Sequence, residues 1–260
     1  MIDAWLDLPI PLMIIVASLV FGASAMLCNW VLHHSPIADR IGDFRGVVGP
    51  FFGAIAVLFA LFLTFLASDI WEKKNRAWHV VQSESDALTA LIALAATNQS
   101  AVSQINDAVM GYITAMIEKE WPLMSQQQSS PEAAEQIDRL LQSVAAASSS
   151  YVPTVHDKML QKVIAVREAR AQRISLSNNN AEMLQWLGVV VLAFMTQLAI
   201  AMVHLDRSAP QRMALGLFSI AAVFTICVVG AYERPFDGPL SISADPLAEI
   251  LEQLQSQKEP

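Results

Sequence analysis

Residues 46–68 read GVVGPFFGAIAVLFALFLTFLAS and contain no charged side chain. A helix needs about 20 predominantly apolar residues to cross a hydrocarbon layer of about 30 Å, so this stretch predicts a membrane span. Similar uncharged runs cover 8–38, 183–203 and 213–232. The alternative, a buried core helix of a water-soluble protein, rarely requires so long an apolar run. The sequence therefore predicts four membrane-spanning helices.

The composition agrees with a protein that lies in a membrane. Among the 260 residues, 54% are apolar and 15% are charged, and the mean hydropathy is +0.43. This balance is wrong for a surface that faces water on all sides. The formal net charge is −8 and the sequence has no dense basic patch, which argues against a nucleic-acid partner. Cys28 and Cys227 fall inside predicted spans and are expected to pack as small apolar residues, without a disulfide.

The N-terminus resembles a secretion signal in one respect. Residues 8–21 are apolar, and Ala23-Ser24-Ala25 follows them as a cleavage-like site. The preceding segment, however, carries Asp3 and Asp7 and no Lys or Arg, which is the reverse of a signal peptide. We therefore expect the first apolar run to be retained as span one.

A heptad pattern follows span two. The positions 81, 85, 88, 92, 95, 99, 102, 106, 109, 113 and 116 step alternately by four and three, and only Ser85, Gln99 and Asn106 among them are polar. The pattern predicts that span two continues into one long helix that packs in a bundle beyond the membrane. This helix is expected to stop at Glu120-Trp121-Pro122, because a proline disfavours helix in the residue before it.

Two further helices complete the predicted insert between spans two and three. Pro131, after the polar linker 125–130, is a good first-turn residue for a helix that ends near Ala147. A third helix begins near Thr154 and is expected to run directly into span three. The fold class is therefore all-α, a polytopic membrane protein with a three-helix extramembrane insert. The predicted division is residues 1–69 for spans one and two, 70–181 for the insert, 182–232 for spans three and four, and 233–260 for a turn and a short amphipathic helix.

The first and third insert helices carry opposite charges. The acidic residues of the first are Glu84, Asp86, Asp107, Glu118 and Glu120, and the basic residues of the third are Lys158, Lys162, Arg167, Arg170 and Arg173. We expect the two helices to pack antiparallel. Specific ion pairs and two separately solvated faces are both compatible with this pattern.

Charge near the span ends indicates the orientation. With four spans, both termini and the insert share one side. That side carries seven basic residues near the span ends, namely Lys73, Lys74, Arg76, Arg167, Arg170, Arg173 and Arg234, whereas the other side carries Arg40, Arg45, Arg207 and Arg212. The count predicts a cytoplasmic insert, although the flanks of span one alone indicate the reverse.

No enzyme motif occurs in the sequence. It contains no phosphate-binding glycine loop, nucleophile elbow or paired metal-ligand motif. We therefore expect neither an enzyme nor a cofactor or metal. His33 and His34 with Asp39 are the nearest approach to a metal site, but adjacent side chains on an exposed loop are usually solvated. In span three, Gln185, Thr196 and Gln197 are expected to form hydrogen bonds between helices.

Span two carries two stripes at helical spacing. The bulky stripe consists of Phe52, Ile55, Phe59, Phe62 and Leu66, and the small-residue stripe of Gly53, Ala56, Ala60, Thr64 and Ala67. Small stripes allow helix backbones to approach closely in lipid. The bulky stripe could face lipid, neighbouring helices or the axis of an oligomer. Around an axis, a ring of phenylalanines would form a hydrophobic constriction that gates by dewetting.

Charged residues follow span two at the membrane interface. They are Asp69, Lys73, Lys74 and Arg76, with Trp71 between them as an aromatic-belt residue. A carboxylate such as that of Asp69 either reaches towards the headgroups or belongs to an ion entrance. The sequence leaves both readings open.

Several separate segments together resemble a known family. They are Val48-Gly49-Pro50, Glu84 with Ala87-Leu88, Tyr112 leading to Glu120-Trp121-Pro122, Arg167-Glu168-Ala169-Arg170, and Arg234-Pro235-Phe236-Asp237-Gly238. Together they resemble an uncharacterised bacterial membrane family described as having a bestrophin-like domain. The resemblance covers nearly the whole chain, and the Glu-Trp-Pro and Pro-Phe-x-Gly segments are its most specific parts.

The resemblance implies a function. Bestrophins are pentameric anion channels with four spans, cytoplasmic termini, a helical cytoplasmic region and a phenylalanine-lined neck on the second span. It therefore implies a multi-pass protein of the bacterial inner membrane, a homo-oligomer such as a pentamer, and a pore lined by span two. Animal members also bind calcium near an Asn-Pro-Phe-Gly segment. The comparable stretch here, Glu233, Arg234, Pro235, Phe236 and Gly238, lacks the dense acidic run, and we expect a turn through which Phe236 docks the C-terminal segment onto the insert.

Two function hypotheses follow. The preferred one is an oligomeric bestrophin-like ion channel that conducts small anions, with the basic residues near the inner membrane face attracting the ions. The alternative is a membrane-anchored helical scaffold or sensor without a pore, which self-associates through the heptad seam of its insert. The expected partners are the lipid bilayer, further copies of the chain and small inorganic ions.

Overall fold

The long apolar runs of the sequence form long helices. In the computed structural model, residues 2–34, 49–178, 183–204, 207–238 and 240–258 are described, and every regular element within those ranges is helical. The helices are α1 (Ile2–Leu6), α2 (Ile10–His34), α3 (Gly49–Ala95), α4 (Gln99–Ala115), α5 (Trp121–Met124), α6 (Pro131–Ala146), α7 (Pro153–Asn178), α8 (Met183–Val203), α9 (Ser208–Ala231) and α10 (Asp245–Ser256).

Four of these helices are long and apolar enough to cross a membrane. They are α2, the first half of α3, α8 and α9. The four-span prediction is therefore confirmed. The predicted direct passage from the third insert helix into span three falls on residues 179–182, which lie outside the described ranges.

The chain divides into two compact units. The span unit comprises residues 1–72 and 181–233, and the insert unit comprises residues 73–180 and 234–260. Helix α3 contributes its first part to the span unit and its second part to the insert unit.

The core of the span unit forms where α2, α8 and α9 pack together with one face of α3. Its most deeply buried apolar residues are Met13, Leu66, Ile70, Trp186, Val189, Ala193, Ala222 and Val229. Gly230 permits a close approach in this core. A Cβ at this position would lie 3.0 Å from the ring of Trp5 and 3.1 Å from Cε of Met13. Cys28 is half-buried and Cys227 buried, and both are free thiols.

Buried amide side chains join the spans. Gln197 Nε2 donates to the Phe21 carbonyl (3.1 Å) and to Ser219 Oγ (2.9 Å), so this residue links α8 to α2 and α9. Gln185 Nε2 donates to Asp69 of α3 (3.2 Å). The expectation of interhelical hydrogen bonds is therefore right for both glutamines. It is wrong for Thr196, whose hydroxyl donates to Leu192 O one turn earlier in the same helix (2.8 Å).

The heptad helix predicted after span two is interrupted at its centre. Helix α3 ends at Ala95, and α4 begins at Gln99. Thr97 Oγ1 donates to Leu94 O, and Asn98 Nδ2 donates to Ser150 O. Short polar side chains of this kind compete with the helix for backbone groups, which is the physical reason for the break. The prediction of one continuous helix is therefore wrong.

The two halves of the heptad seam fold onto each other as a helical hairpin. Glu84 in α3 meets Tyr112 in α4, and these residues are about equally far from the turn at 96–98. The apolar seam positions remain buried on both arms, among them Val81, Leu88, Val109, Ile113 and Met116. The prediction of a buried seam thus holds. However, the insert contains four long helical segments, the second half of α3 with α4, α6 and α7, rather than the three expected.

The end of α4 also differs from the expected stop. The helix passes into a π-helical turn, Met116–Glu120, and then into the short helix α5. Pro122 lies in the first turn of α5, where its missing N–H is tolerated. After the polar segment 125–130, α6 begins as predicted at Pro131, and Ser130 caps it by accepting from the backbone N–H of Ala133 (3.3 Å).

The C-terminal segment packs within the insert unit. Helix α10 buries Leu247, Ile250 and Leu254, as its amphipathic pattern predicts. The helix begins at Asp245, and its N-cap residue is Ala244. A hydrogen bond from Ser85 Oγ to the Pro246 carbonyl (3.2 Å) joins its first turn to α3.

Candidate functional site: the second span and a buried ion network

The membrane-spanning part of α3 is buried along one narrow stripe. Phe59, Leu63, Leu66 and Ile70 are at most 8% exposed. They follow one another by four, three and four residues, so they lie on one face of the helix. The large apolar residues on its other faces are between 45% and 66% exposed, namely Val57, Leu58, Leu61, Phe62 and Phe65. Among the described residues, the chain therefore covers one side of this helix.

The residues of the bulky stripe do not share one environment. Phe59 packs edge-to-face on Phe218 of α9, with ring centroids 5.7 Å apart, and Leu66 lies in the same core. Phe62 is 45% exposed and rests against Gly188 of α8, where a Cβ would lie 3.3 Å from its ring. Ile55 is half-buried, and the side chain of Phe52 lies outside the described part of the chain. The constriction remains a prediction.

The small-residue stripe lies largely on the surface. Gly53, Ala60 and Thr64 are exposed, whereas Ala56 and Ala67 are half-buried. A Cβ at Gly53 would have no atom within 4 Å among the described residues. Close packing of another helix on this stripe therefore remains a prediction.

The charged residues after span two have different surroundings. Asp69 is exposed and accepts the hydrogen bond from Gln185. Lys73 is buried, and Lys74 donates from Nζ to the Leu240 carbonyl (2.9 Å). Arg76 is exposed. Asp69 and Arg76 are thus exposed with opposite charges, and the ion entrance remains a prediction.

A pair of fully buried charges lies at the centre of the insert unit. The guanidinium of Arg173 in α7 holds the Glu84 carboxylate of α3 at two points, Nε to Oε2 (2.8 Å) and Nη2 to Oε1 (3.2 Å). Both side chains are 0% exposed. The Tyr112 hydroxyl of α4 donates to Glu84 Oε1. Two-point pairing with an additional donor is the arrangement that a buried carboxylate requires.

Glu120, at the end of the π-helical turn, is the second buried carboxylate. It accepts from Arg170 and from Arg173 Nη2 (3.0 Å), and the backbone N–H of Ser130 donates to it (3.3 Å). The remaining arm of Arg173 donates from Nη1 to Met124 Sδ (3.0 Å). π-helical turns of this kind are frequent at functional positions.

The charges in this cluster balance, since two carboxylates face two guanidinium groups. A buried charge without such a partner is strongly unfavourable, so each member depends on the others. Burial raises the pKa of the Tyr112 phenol well above its ordinary value, and the negative charge of Glu84 raises this pKa further. The phenol therefore remains protonated at neutral pH and can act as a donor. We call Glu84, Tyr112, Glu120, Arg170 and Arg173 the ion network.

Three of the five segments that carry the family resemblance contribute to the ion network. Glu84, Tyr112, Glu120 and Arg170 are members of it. Trp121 lies under Arg173, with the guanidinium carbon 5.2 Å from its ring centroid. The Glu-Trp-Pro segment and the Arg-Glu-Ala-Arg segment are thus two parts of one structural element.

The turn after span four, residues 234–238, packs beside the ion network. Phe236 is buried and packs edge-to-face on Trp121, with ring centroids 5.7 Å apart. Gly238 has a φ of 105°, which favours glycine, and the Ile242 N–H donates to the Pro235 carbonyl (2.7 Å). Arg234 pairs with Asp237 at 3.5 Å. The expected turn, with Phe236 against the insert, is therefore present.

Sequence reasoning missed the burial of the network. It left specific ion pairs and solvated faces as equal alternatives, and the structure shows specific pairs for Glu84 and Glu120. One signal was available. In α7 the apolar residues Met159, Val163 and Val166 are buried, and Arg173 continues this stripe seven residues after Val166. An arginine on an apolar stripe indicates a buried charge.

The described residues contain no group of three or more His, Cys, Asp or Glu side chains that could hold a metal ion. His33 Nε2 donates to Gln211 Oε1 of α9 (2.7 Å), and Gln211 Nε2 donates to the Ala201 carbonyl (2.6 Å). His33 therefore links spans. The side chain of His34 and all of Asp39 lie outside the described part of the chain.

Comparison with known proteins gives the same fold. The sequence matches the Bestrophin-like domain over residues 19–247. No curated protein matches it. Crystal structures of a bacterial Bestrophin homolog from Klebsiella pneumoniae are similar to this chain. For one point variant the TM-score is 0.75 at 12% identity, over 95% of this chain and 100% of the other. For a second structure, phased with zinc, the TM-score is 0.71 at 12% identity, over 94% and 97%.

A crystal structure of a membrane protein variant is similar as well, with a TM-score of 0.73 at 11% identity over 95% of this chain and 99% of the other. The fold is therefore that of a polytopic, all-helical membrane protein of the bacterial bestrophin type. The match to the Bestrophin-like domain extends over most of the sequence, and the chain belongs to that family. The resemblance inferred from the short segments is confirmed.

Proposed function

We propose that this chain is the subunit of an oligomeric ion channel and that α3 lines the pore. Family membership supports a channel. The observation that carries the pore assignment is the one-sided burial of α3. Phe59, Leu63, Leu66 and Ile70 attach the helix to its own chain, whereas the large residues on its other faces are exposed among the described residues. Helix α2 is exposed along its length as well, so the choice of α3 among the spans rests on the family resemblance. A pore helix in a ring needs this division, with one face on its own subunit and the rest towards the axis and the neighbouring copies.

The exposed residues refine the proposed constriction. Among the four residues of the bulky stripe whose side chains are described, Phe62 is the exposed one, whereas Phe59 and Leu66 lie in the core of the span unit. We assign the constriction to Phe62, with Ile55 two turns earlier on the same face of the helix. Phe59 and Leu66 would support the pore wall from behind.

Small anions are the proposed permeant ions, and family resemblance is the reason. The charges after span two do not favour one sign, because Asp69 and Glu72 are followed in the sequence by Lys74 and Arg76. The sign of the permeant ion is therefore a quantity to be measured rather than deduced from these side chains.

The test is ion flux through purified protein in liposomes, measured under separate chloride, potassium and sodium gradients. Phe62→Ala is expected to raise the flux of the permeant ion several-fold, since removal of a bulky apolar ring widens and wets a hydrophobic constriction. Phe65→Ala, on a neighbouring exposed face of the same helix (61% exposed), is the matched control and should leave flux within about twofold of wild type.

Two outcomes would count against the proposal. If wild type and Phe62→Ala conduct none of the three ions, the chain is not a channel. If flux occurs and Phe65→Ala changes it while Phe62→Ala does not, a different face of α3 lines the pore.

The burial of the heptad seam argues against the alternative, a scaffold without a pore. That hypothesis required the heptad seam to be available for a partner. In the structure the seam residues Val81, Leu88, Val109 and Ile113 are buried within the hairpin of α3 and α4. A partner could reach them only if the insert unit opened.

We further propose that the protein lies in the bacterial inner membrane with the insert and both termini in the cytoplasm. The larger number of basic residues on the insert side supports this orientation. Ser129 is exposed in the polar segment before α6 and is a suitable reporter. In Ser129→Cys, a membrane-impermeant maleimide should label the thiol only after cells are opened. Equal labelling of intact cells would reverse the orientation.

A further inference from the structure

The ion network joins three segments of the insert unit that are far apart in sequence. Glu84 comes from α3, Tyr112 and Glu120 from α4 and the turn that follows it, and Arg170 and Arg173 from α7. All four carboxylate oxygens accept at least one hydrogen bond from these partners or from the backbone. Within the described part of the chain, each carboxylate oxygen of the network therefore already has a donor from the protein.

The contact between the ion network and α3 is relevant to the proposed pore, because α3 is the proposed pore helix. Helix α3 is a single helix, and after Gly53 it contains neither glycine nor proline, the residues at which helices usually bend. At a rise of 1.5 Å per residue, Glu84 lies roughly 30 Å along the helix from Phe65. Helix α3 thus carries both the exposed apolar residues around Phe65 and Glu84, which we call the anchor residue because Arg173 binds it.

The anchor restricts how α3 can move. Arg173 holds Glu84 at two points, which fixes the rotation of α3 about its axis as well as its position along it. A displacement large enough to break these contacts would leave a buried carboxylate and a buried guanidinium incompletely paired. Packing of apolar side chains alone would tolerate a small rotation more easily.

We propose that the ion network is a conformational brace that holds α3 in one rotational setting and thereby sets the open probability of the channel. Glu84 is the positioning residue, because it alone connects α3 to the network. Glu120 serves the other connection, between α7 and the π-helical turn. This inference rests on the proposed function, since it assigns a gating role to the helix that we place at the pore.

The two carboxylates provide a matched pair of variants. Glu84→Gln and Glu120→Gln remove the same charge from equally buried positions that share Arg173. In Glu84→Gln, Arg173 stays paired with Glu120 and α3 loses its ion pair, whereas in Glu120→Gln, Arg173 stays paired with Glu84 and α3 keeps it. In single-channel recordings of the reconstituted full chain, Glu84→Gln should change the open probability by about 2- to 30-fold with the unitary conductance unchanged. Glu120→Gln should change the open probability less.

A milder variant keeps the test valid if Glu84→Gln does not fold. Tyr112→Phe removes only the hydroxyl that donates to Glu84 Oε1 and keeps the ring in place. It should shift the open probability in the same direction by a smaller factor. The brace is overturned if the folded variants of Glu84 and Tyr112 gate like wild type, or if Glu120→Gln changes gating as much as Glu84→Gln does.

Hydrogen exchange separates failure of the brace from failure of the channel proposal. In detergent, amides of residues 78–92 should exchange at least about threefold faster in Glu84→Gln than in Glu120→Gln, since local opening follows local anchoring. If wild type conducts no ion, the proposed function is wrong, and this comparison alone decides the brace. Equal exchange in the two variants would then overturn it.

Discussion

Arg173→Met is expected to lower the free energy of unfolding by about 3–5 kcal/mol, the usual cost of removing one partner from a buried ion pair. The guanidinium contacts Glu84 and Glu120, and both carboxylates are fully buried. Methionine fills much of the space but provides no charge. Glu84 would then keep only the Tyr112 hydroxyl, while Glu120 would keep Arg170. The loss can be measured as the unfolding midpoint of the purified chain in detergent, followed by tryptophan fluorescence.

Arg167→Met is the matched control for this prediction. Arg167 lies in the same helix, but its side chain is 59% exposed and its pairing distance to Asp138 is 3.7 Å. Exposed ion pairs contribute about 0–1 kcal/mol, so this variant should unfold close to wild type. If both variants lose the same free energy of unfolding, the loss follows from any substitution in α7 and not from the removal of a buried charge.

A double variant distinguishes charge imbalance from poor packing. Adding Glu84→Leu to Arg173→Met removes the uncompensated carboxylate and leaves Arg170 paired with Glu120. Buried ion pairs can often be replaced by apolar residues of similar volume without loss, so the double variant should recover more than half of the lost stability. A double variant that is less stable than Arg173→Met would show that shape, not charge, dominates at this position.

The network also shows where sequence reasoning succeeded and where it stopped. The four spans follow from the length of the apolar runs alone, because lipid imposes a length requirement that few other structures share. The interruption at 96–98 does not follow from periodicity, since Ala95 and Gln99 occupy seam positions in one long helix or in a hairpin alike. Thr97 and Asn98 decide between the two through contacts that include Ser150, which is remote in sequence.

The charges illustrate a different limit. Glu84 is next to the seam residue Ser85 and reads as part of a solvated acidic face. Its burial depends on Arg173, which is 89 residues further along the chain. A single sequence gives the sign and the helix of each charge, whereas the pairing emerges only when the hairpin of α3 and α4 is packed against α7.

The second span shows the same limit in the membrane. Helical spacing assigns Phe52, Ile55, Phe59, Phe62 and Leu66 to neighbouring positions on one broad side of α3. Lipid and protein interiors are equally apolar, so the pattern does not reveal which of these residues another helix covers. The division between Phe59 and Phe62 therefore came from the fold and not from the stripe.

Phe59→Ala is expected to have a large effect on the stability of the span unit. Phe59 is 8% exposed and packs on Phe218, whereas Phe65 is 61% exposed. Loss of a buried aromatic ring from a soluble core costs about 3–5 kcal/mol. Part of that cost is transfer from water, which is absent when the helices separate into lipid. We therefore expect a loss of about 2–4 kcal/mol for Phe59→Ala, from the cavity and the lost ring contact.

Different residues of α3 should then determine the stability of the protein and its conductance. Phe59→Ala should lower the unfolding midpoint in detergent mixtures titrated with SDS, and each channel that remains folded should keep its conductance. Phe62→Ala should change conductance and leave the midpoint close to wild type, as should the control Phe65→Ala. If Phe59→Ala leaves the midpoint unchanged but alters conductance, Phe59 faces the ion path. The assignment of the buried and open sides of α3 would then have to be exchanged, because a residue cannot both fill the core of its own subunit and line the pore.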